Sequence, residues 1–417
     1  MTAINAIRCH VLTATLLVFS ASAGAQTLAT GDSRTVTEPT YPGVCTTLTA
    51  QFTSSQRAAP PSSDDTSRLQ TALTNCAGTG KSVVLAASGS KNAFYSNSLN
   101  VNGAGLVINS GVTLYGNNSY AGNAQFILFN GSNASLMGPG AVDGRGDILS
   151  GSARLVQAKN ITNFTVYNVT IKESVFPNLY VEGGNGFTAW KLTIRTPSTR
   201  TNADGIDIDS LTNATVANSS IEAGDDGIAV KTNSGDASNI TVRNSQLYGT
   251  HGLSIGSIYK NTVSNILFKN NYVYGADLSG TTSANANAIN IKTGPCALTV
   301  SKVSYVNTCI TGAKHLVIMD TNYHACPVSG GTPTLSNIVV NGAYATSSVS
   351  GAYTRIAGRN ASFPVNAYLA HVNLDATAQS GDQYANVGLD SSNDVPSGTG
   401  VTTSNFTMSG AVPSCTF

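Results

Sequence analysis

From about residue 164 onward, short stretches in which apolar and polar residues alternate recur along the chain. Asn168-Val-Thr-Ile171, Lys191-Leu-Thr-Ile194, Asn218-Ser-Ser-Ile221, Asn244-Ser-Gln-Leu247 and Asn270-Asn-Tyr-Val273 start 23, 27, 26 and 26 residues apart. A second alternating run precedes most of them, as in Phe164-Thr-Val-Tyr167, Ala214-Thr-Val-Ala217, Ile240-Thr-Val-Arg243 and Ile266-Leu-Phe-Lys269. Alternation with period two is the signature of strands. A unit of about 25 residues made of short strands cannot close a core alone, whereas stacked units bury their apolar positions in a common column. The pattern therefore predicts an all-β fold, a parallel β-helix solenoid. Leucine-rich repeats have similar periods, but their leucine ladder and helical segment are absent from this sequence. Asn at recurring positions suits tight corners, because it tolerates left-handed backbone and its amide bonds to neighbours; stacked asparagines are expected to form ladders.

A solenoid needs covered ends. Ser62-Ser63-Asp64-Asp65 supplies capping residues before Thr66 to Leu73, where Leu69, Ala72 and Leu73 fall at helical spacing. This predicts a short N-terminal capping helix. Residues 62–417 are read as one β-helix catalytic domain, and the Ser/Thr/Pro-rich stretch 26–61 as a segment looping across the surface. Residues 1–25 carry Arg8, an apolar run from Val11 to Phe19 and Ala23-Gly24-Ala25 before Gln26, the pattern of a secretory signal peptide. The run is too short for a membrane anchor, which needs about 20 apolar residues. A secreted, extracellular monomer with no membrane partner is expected.

Only 10% of the residues are charged and the formal net charge is +1, so no general field gathers nucleic acid. Recognition of any charged ligand must be local. Once Cys9 leaves with the signal, Cys45, Cys76, Cys296, Cys309, Cys326 and Cys415 remain. An even number in an exported chain favours disulfides. Nearness in sequence suggests Cys45 with Cys76 and Cys296 with Cys309, leaving Cys326 for Cys415. The lack of a Cys-x-x-Cys pair argues against a zinc site.

Candidate chemistry lies on four successive segments of the repeat region: Asn202-Ala-Asp-Gly-Ile-Asp207, Gly224-Asp-Asp-Gly227, Thr250-His-Gly-Leu-Ser-Ile-Gly-Ser257 and Asn290-Ile-Lys292. Taken singly, Asp-Gly and Asp-Asp-Gly are ordinary turn chemistry, His251 a strand residue, Lys292 a solvated charge and Tyr323 a packed aromatic. Taken together, Asp204, Asp225 and Asp226 recur at coil spacing beside His251, which would line them along one external groove. Adjacent strand residues point to opposite faces, so Asp225 and Asp226 can share that groove only where the pleat is broken, as flanking Gly224 and Gly227 would allow.

These segments resemble the signatures of glycoside hydrolase family 28, the polygalacturonases and their relatives. Asn202-Ala203-Asp204 is similar to the first, Gly224-Asp225-Asp226 to the second, Thr250-His251-Gly252 to the third and Asn290-Ile291-Lys292 to the fourth, with Asn290 where the family has Arg. Tyr323, after an apolar strand, resembles a further family residue, and Gly138 to Gly146 a Gly-rich run. The resemblance covers about residues 60–345. It implies a right-handed parallel β-helix and an inverting hydrolase of pectin, with polygalacturonate as substrate and no cofactor or metal. It further implies Asp225 as general acid, Asp204 and Asp226 activating water, and His251 supporting the acid. Asn202, Lys292, Tyr323 and Asn290 would contact substrate. Endo and exo action stay open, as do modified pectins such as xylogalacturonan or rhamnogalacturonan. A pectate lyase or a noncatalytic β-helix is a further alternative. Clustered carboxylates cannot all ionise freely, so at least one is expected to hold a proton in mildly acidic solution.

Overall fold

Equivalent positions of successive repeats lie directly over one another. Phe164 pairs with Phe187, Phe187 with Ala214, Ala214 with Ile240, Ile240 with Ile266 and Ile266 with Val303. All six side chains are buried, so each coil supplies one layer of a continuous apolar column. In this computed structural model, which describes residues 26–327 and 331–417, 28 strands join into one sheet wound as a parallel β-helix. The expected signal peptide lies outside the described residues. The coils continue past residue 345, where sequence resemblance ended, to the strand Thr399–Asn405.

Left-handed corners separate the strands. Asn168, Lys191, Asn218, Asn244 and Asn270, which open the repeated runs, all have positive φ, between 52° and 56°. Their amides also form the expected ladder: Asn270 Nδ2 donates to Asn244 Oδ1 at 3.3 Å, and Asn307 Nδ2 to Asn270 Oδ1 at 3.1 Å. At the N-terminal end the helix Thr66–Asn75 turns Leu69, Ala72 and Leu73 onto the first coils, as expected from their spacing.

The segment 26–61 is more integrated than a surface loop, and the boundary at residue 62 falls too late. Its strand Val44–Thr49 pairs in parallel with Ser82–Ala86 and forms the first rung. Ahead of it, residues 29–41 form a strap along the outside of the solenoid. Ala29 N donates to Ser304 Oγ at 2.8 Å, Asp32 N to Thr241 Oγ1 at 2.9 Å, and Thr215 Oγ1 to Asp32 Oδ2 at 2.7 Å. Arg34 Nη2 donates to the Phe187 carbonyl at 2.7 Å, and Glu38 accepts from Tyr167 and Lys191. Thr188, Thr215, Thr241 and Ser304 are the outward neighbours of the core column, so one face of each repeat feeds the core and the other receives the strap.

Three disulfides are present among the described residues, and two of the expected pairings are wrong. Cys45 bonds Cys76, tying the capping helix to the first rung. Cys296 bonds Cys326 rather than Cys309, and Cys309 bonds Cys415 rather than Cys326. Cys296 and Cys326 are 30 residues apart, about one coil with its loops, whereas Cys296 and Cys309 share one coil. The C-terminal tail folds back along the outside, where Phe417 packs edge-on against Tyr272 and Tyr274, and this brings Cys415 to Cys309.

Candidate active site

Strand register builds the site. Ile206 pairs with Ile228 and Ile228 with Leu253. Asp204, Asp226 and His251 each stand two residues before these core positions, so they lie on consecutive coils about 4.8 Å apart. Asp225 and Asp226 sit in a bend, outside any strand, and this break in pleating turns both toward one cleft. The Asp226 amide donates to Asp225 Oδ1 at 2.9 Å, and the His251 amide to the Asp225 carbonyl at 2.7 Å. Gly224 and Gly227 serve the bend through close packing. A Cβ on Gly224 would stand 1.8 Å from the Arg200 carbonyl oxygen, and one on Gly227 2.4 Å from Leu247 Cδ2. Neither has positive φ, so it is space that demands glycine here.

Two ammonium groups neutralise much of the cluster. Lys231 Nζ lies 2.8 Å from Asp204 Oδ2 and 2.7 Å from Asp207 Oδ1. Lys292 Nζ lies 2.9 Å from Asp226 Oδ1, which also accepts from Ser254 Oγ at 2.8 Å. His251 Nδ1 is 2.8 Å from Asp225 Oδ1. Burial disfavours charge on Asp225, but the His251 hydrogen bond and charge, with Lys292 and the Asp226 amide, outweigh it and hold this carboxyl below its ordinary range. Burial lifts Asp226 above that range, with Asp204 and Asp225 adding to the effect and Lys292 and Lys231 opposing it. Asp207 is pushed up more strongly, by burial and then by Asp204. For Lys231, burial works against the charge, yet Asp207, Asp204 and Asp226 prevail and keep it an ammonium.

A cleft of about 500 Å³ collects Asn202, Asp204, Asp225, Asp226, His251, Lys292 and Tyr323, seven of the eight residues expected from sequence. The Lys292 ammonium lies 5.5 Å from the Tyr323 ring centroid. Asn290 is not among the lining residues. It is 1% exposed, and its Nδ2 lies 3.4 Å from both the His251 carbonyl and Ser254 Oγ, so it underpins the His251 turn. Sequence reasoning missed Arg154, Tyr180, Lys231 and Asn233, which also line the cleft. They sit within or beside ordinary strands and carry no motif; only register with the Asp positions would have found them. The loop Asp277 to Ala286 is anchored sideways, through Asp277 to Ser198 and the Leu278 amide to Glu222, and of this loop only Asn285 reaches the cleft.

Ligand atoms of Asp225, Asp226 and His251 lie within 4.8 Å of one another, a spacing open to a cation. Lys292 already supplies positive charge there at 2.9 Å, so the donors fit an ammonium-neutralised acid cluster better than a metal centre.

A solenoid whose side groove gathers close carboxylates, a histidine and lysines offers the acid and base groups that glycoside hydrolysis requires. The family model of glycosyl hydrolases family 28 matches residues 76–393. An endo-polygalacturonase of Pectobacterium carotovorum subsp. carotovorum is 34% identical over 413 residues, covering 87% of this chain and 94% of the relative. A probable endo-xylogalacturonan hydrolase A of Neosartorya fischeri is 26% identical over 330 residues, covering 68% and 75%. Among solved structures, a polygalacturonase from Erwinia carotovora ssp. carotovora aligns with a TM-score of 0.70 at 31% identity, covering 85% of this chain and 99% of the other. The chain belongs to glycoside hydrolase family 28 and is a glycoside hydrolase of the polygalacturonase type.

Proposed function

We propose that the protein is an extracellular enzyme that hydrolyses α-1,4-galacturonosidic bonds within polygalacturonate, with inversion at the anomeric carbon. The observation carrying this reading is the division of labour among three carboxyls in one cleft. Asp225 is the most accessible of them, with 24% of its side chain exposed against 9% for Asp204 and 3% for Asp226, and it alone touches His251. Asp225 protonates the leaving oxygen, while Asp204 and Asp226, oriented by Lys231 and Lys292, take the proton of the attacking water. Among its protein neighbours alone, Asp225 favours its ionised form, which is the wrong state for an acid. A sugar ring covering it removes water and raises its proton affinity when the proton is needed. Endo action is supported by the 34% identical endo-polygalacturonase relative and by the Asp277–Ala286 loop, which is tied to Ser198 and Glu222 and reaches the cleft only through Asn285.

Incubation with polygalacturonate tests the reading. Expected are reducing ends of mixed length, no unsaturated ends, and an initial product of inverted anomeric form by NMR. Unsaturated ends would instead mark a lyase. A second reading, hydrolysis of xylose-substituted galacturonan, is favoured by Asn290 in place of the family Arg and by the xylogalacturonan hydrolase relative. A higher kcat/KM on that substrate than on the plain polymer would select it.

A further inference from the structure

The cleft holds three strong cations, Arg154, Lys231 and Lys292. Both lysines already have carboxylate partners within 3 Å. Arg154 has none among the described residues, and its Nε is buried without a hydrogen-bond partner. Its guanidinium carbon stands 4.2 Å from the centroid of the Tyr180 ring. That ring is itself clamped, since the Tyr180 hydroxyl donates to Asp209 Oδ2 and receives a bond from Asn233 Nδ2 at 3.3 Å. The fork of donors is thus held over a braced ring, with no acceptor among the described residues. Register fixes its distance from the chemistry. Val156 pairs with Leu179 and Leu179 with Ile206, so Arg154 and Asp204, each two residues earlier, are two strand spacings apart, about 10 Å. That is roughly the reach of two sugar rings along the groove.

We propose that Arg154, braced by Tyr180, is a carboxylate-binding subsite that grips a uronate ring about two units from the bond being cleaved. The inference rests on the galacturonan reading above and adds to it a distal anchor outside the recognised motifs. A planar guanidinium accepts a carboxylate in bidentate fashion, and stacking on the ring removes most of the freedom that binding would otherwise cost. Half-buried Phe176 lines the same stretch and offers an apolar surface to the sugar ring. The subsite also supplies a full positive charge in a groove whose other cations are neutralised from within.

Kinetics on galacturonate oligomers of defined length test this. Arg154→Gln should lower kcat/KM on the hexamer at least about tenfold, mainly through KM, while leaving the shortest oligomer that the wild type cleaves within about twofold. Arg154→Lys should fall between, retaining charge without the fork. Full methyl esterification of the hexamer should abolish the difference between wild type and Arg154→Gln. Equal losses at every length, a loss that persists on the ester, or no loss would each overturn the subsite. Wild-type protein that neither cleaves nor, as Asp225→Asn, binds any galacturonate oligomer in calorimetry would overturn the substrate reading itself, and the subsite with it.

Discussion

With Asp225 as the proposed proton donor, Asp225→Asn preserves shape and removes that proton, so turnover should drop by about 10²–10⁴ with an unchanged melting curve. Asp204→Asn should be comparably damaging, and the double variant less than additive because the carboxyls act as a unit; near-normal turnover in folded Asp225→Asn would refute its role as the acid. Far from the cleft, Asp394 is fully buried and accepts from Thr354 Oγ1 and Gln379 Nε2 through Oδ1, while Oδ2 has no partner. Burial pushes its pKa up from 3.8 to about 6. A carboxyl raised on folding contributes stability below its unfolded value, and that contribution is lost as pH rises through the folded value. Asp394→Asn should therefore be more stable than wild type at pH 7, by up to ~3 kcal/mol, with the gap closing by about pH 4. Urea melts at the two pH values provide the check, and a gap that is constant with pH would contradict it. Of the groups in the cleft, Asp204, Asp225, Asp226 and His251 were legible in sequence because turn motifs recurred at coil spacing. Lys231 and Arg154 were not, since a lysine or arginine next to a strand has no local signal until register says which carboxylate or ring it faces.

The coil was the most legible element. Its period, its alternating core positions and its corner asparagines were all readable, because each is enforced by local geometry: the pleat sets the alternation and the left-handed corner selects Asn. Asn244 shows what that selection is worth. At φ 52° a Cβ-bearing residue without a local polar group pays about 1–2 kcal/mol. Asn244→Ala should lower stability by that amount plus the ladder bond from Asn270, whereas Asn244→Gly, free of the steric penalty, should lose less. Equal melting temperatures for the two variants would show that the corner is not under this constraint. The disulfides were less legible for the opposite reason. Their pairing depends on which side of a coil each cysteine occupies and on where the C-terminal tail returns, and neither is a property of the neighbouring residues.

For the molecule as a whole, the strap and the tail are the only described segments seen to run across many coils. The residues receiving the strap at Ala29 to Arg34, among them Phe187, Asn213, Thr215, Thr241, Asn265 and Ser304, do not line the cleft. Removing residues up to Arg34 should therefore lower the melting temperature by several degrees while leaving kcat at 25 °C within about twofold; an unchanged melting temperature would show that the strap is ornamental. The strap's hydrogen bonds to the coils join residues separated by 127 to 275 positions, in a fold whose other contacts link mostly neighbouring coils. A repeat array of that kind unzips from its ends, one unit at a time. With the strap in place, the coils between Tyr167 and Ser304 cannot open singly without also releasing it, so they should exchange their amide hydrogens as one cooperative block. The segment synthesised early in this chain can dock only after all of those coils exist, which makes it the latch that closes last.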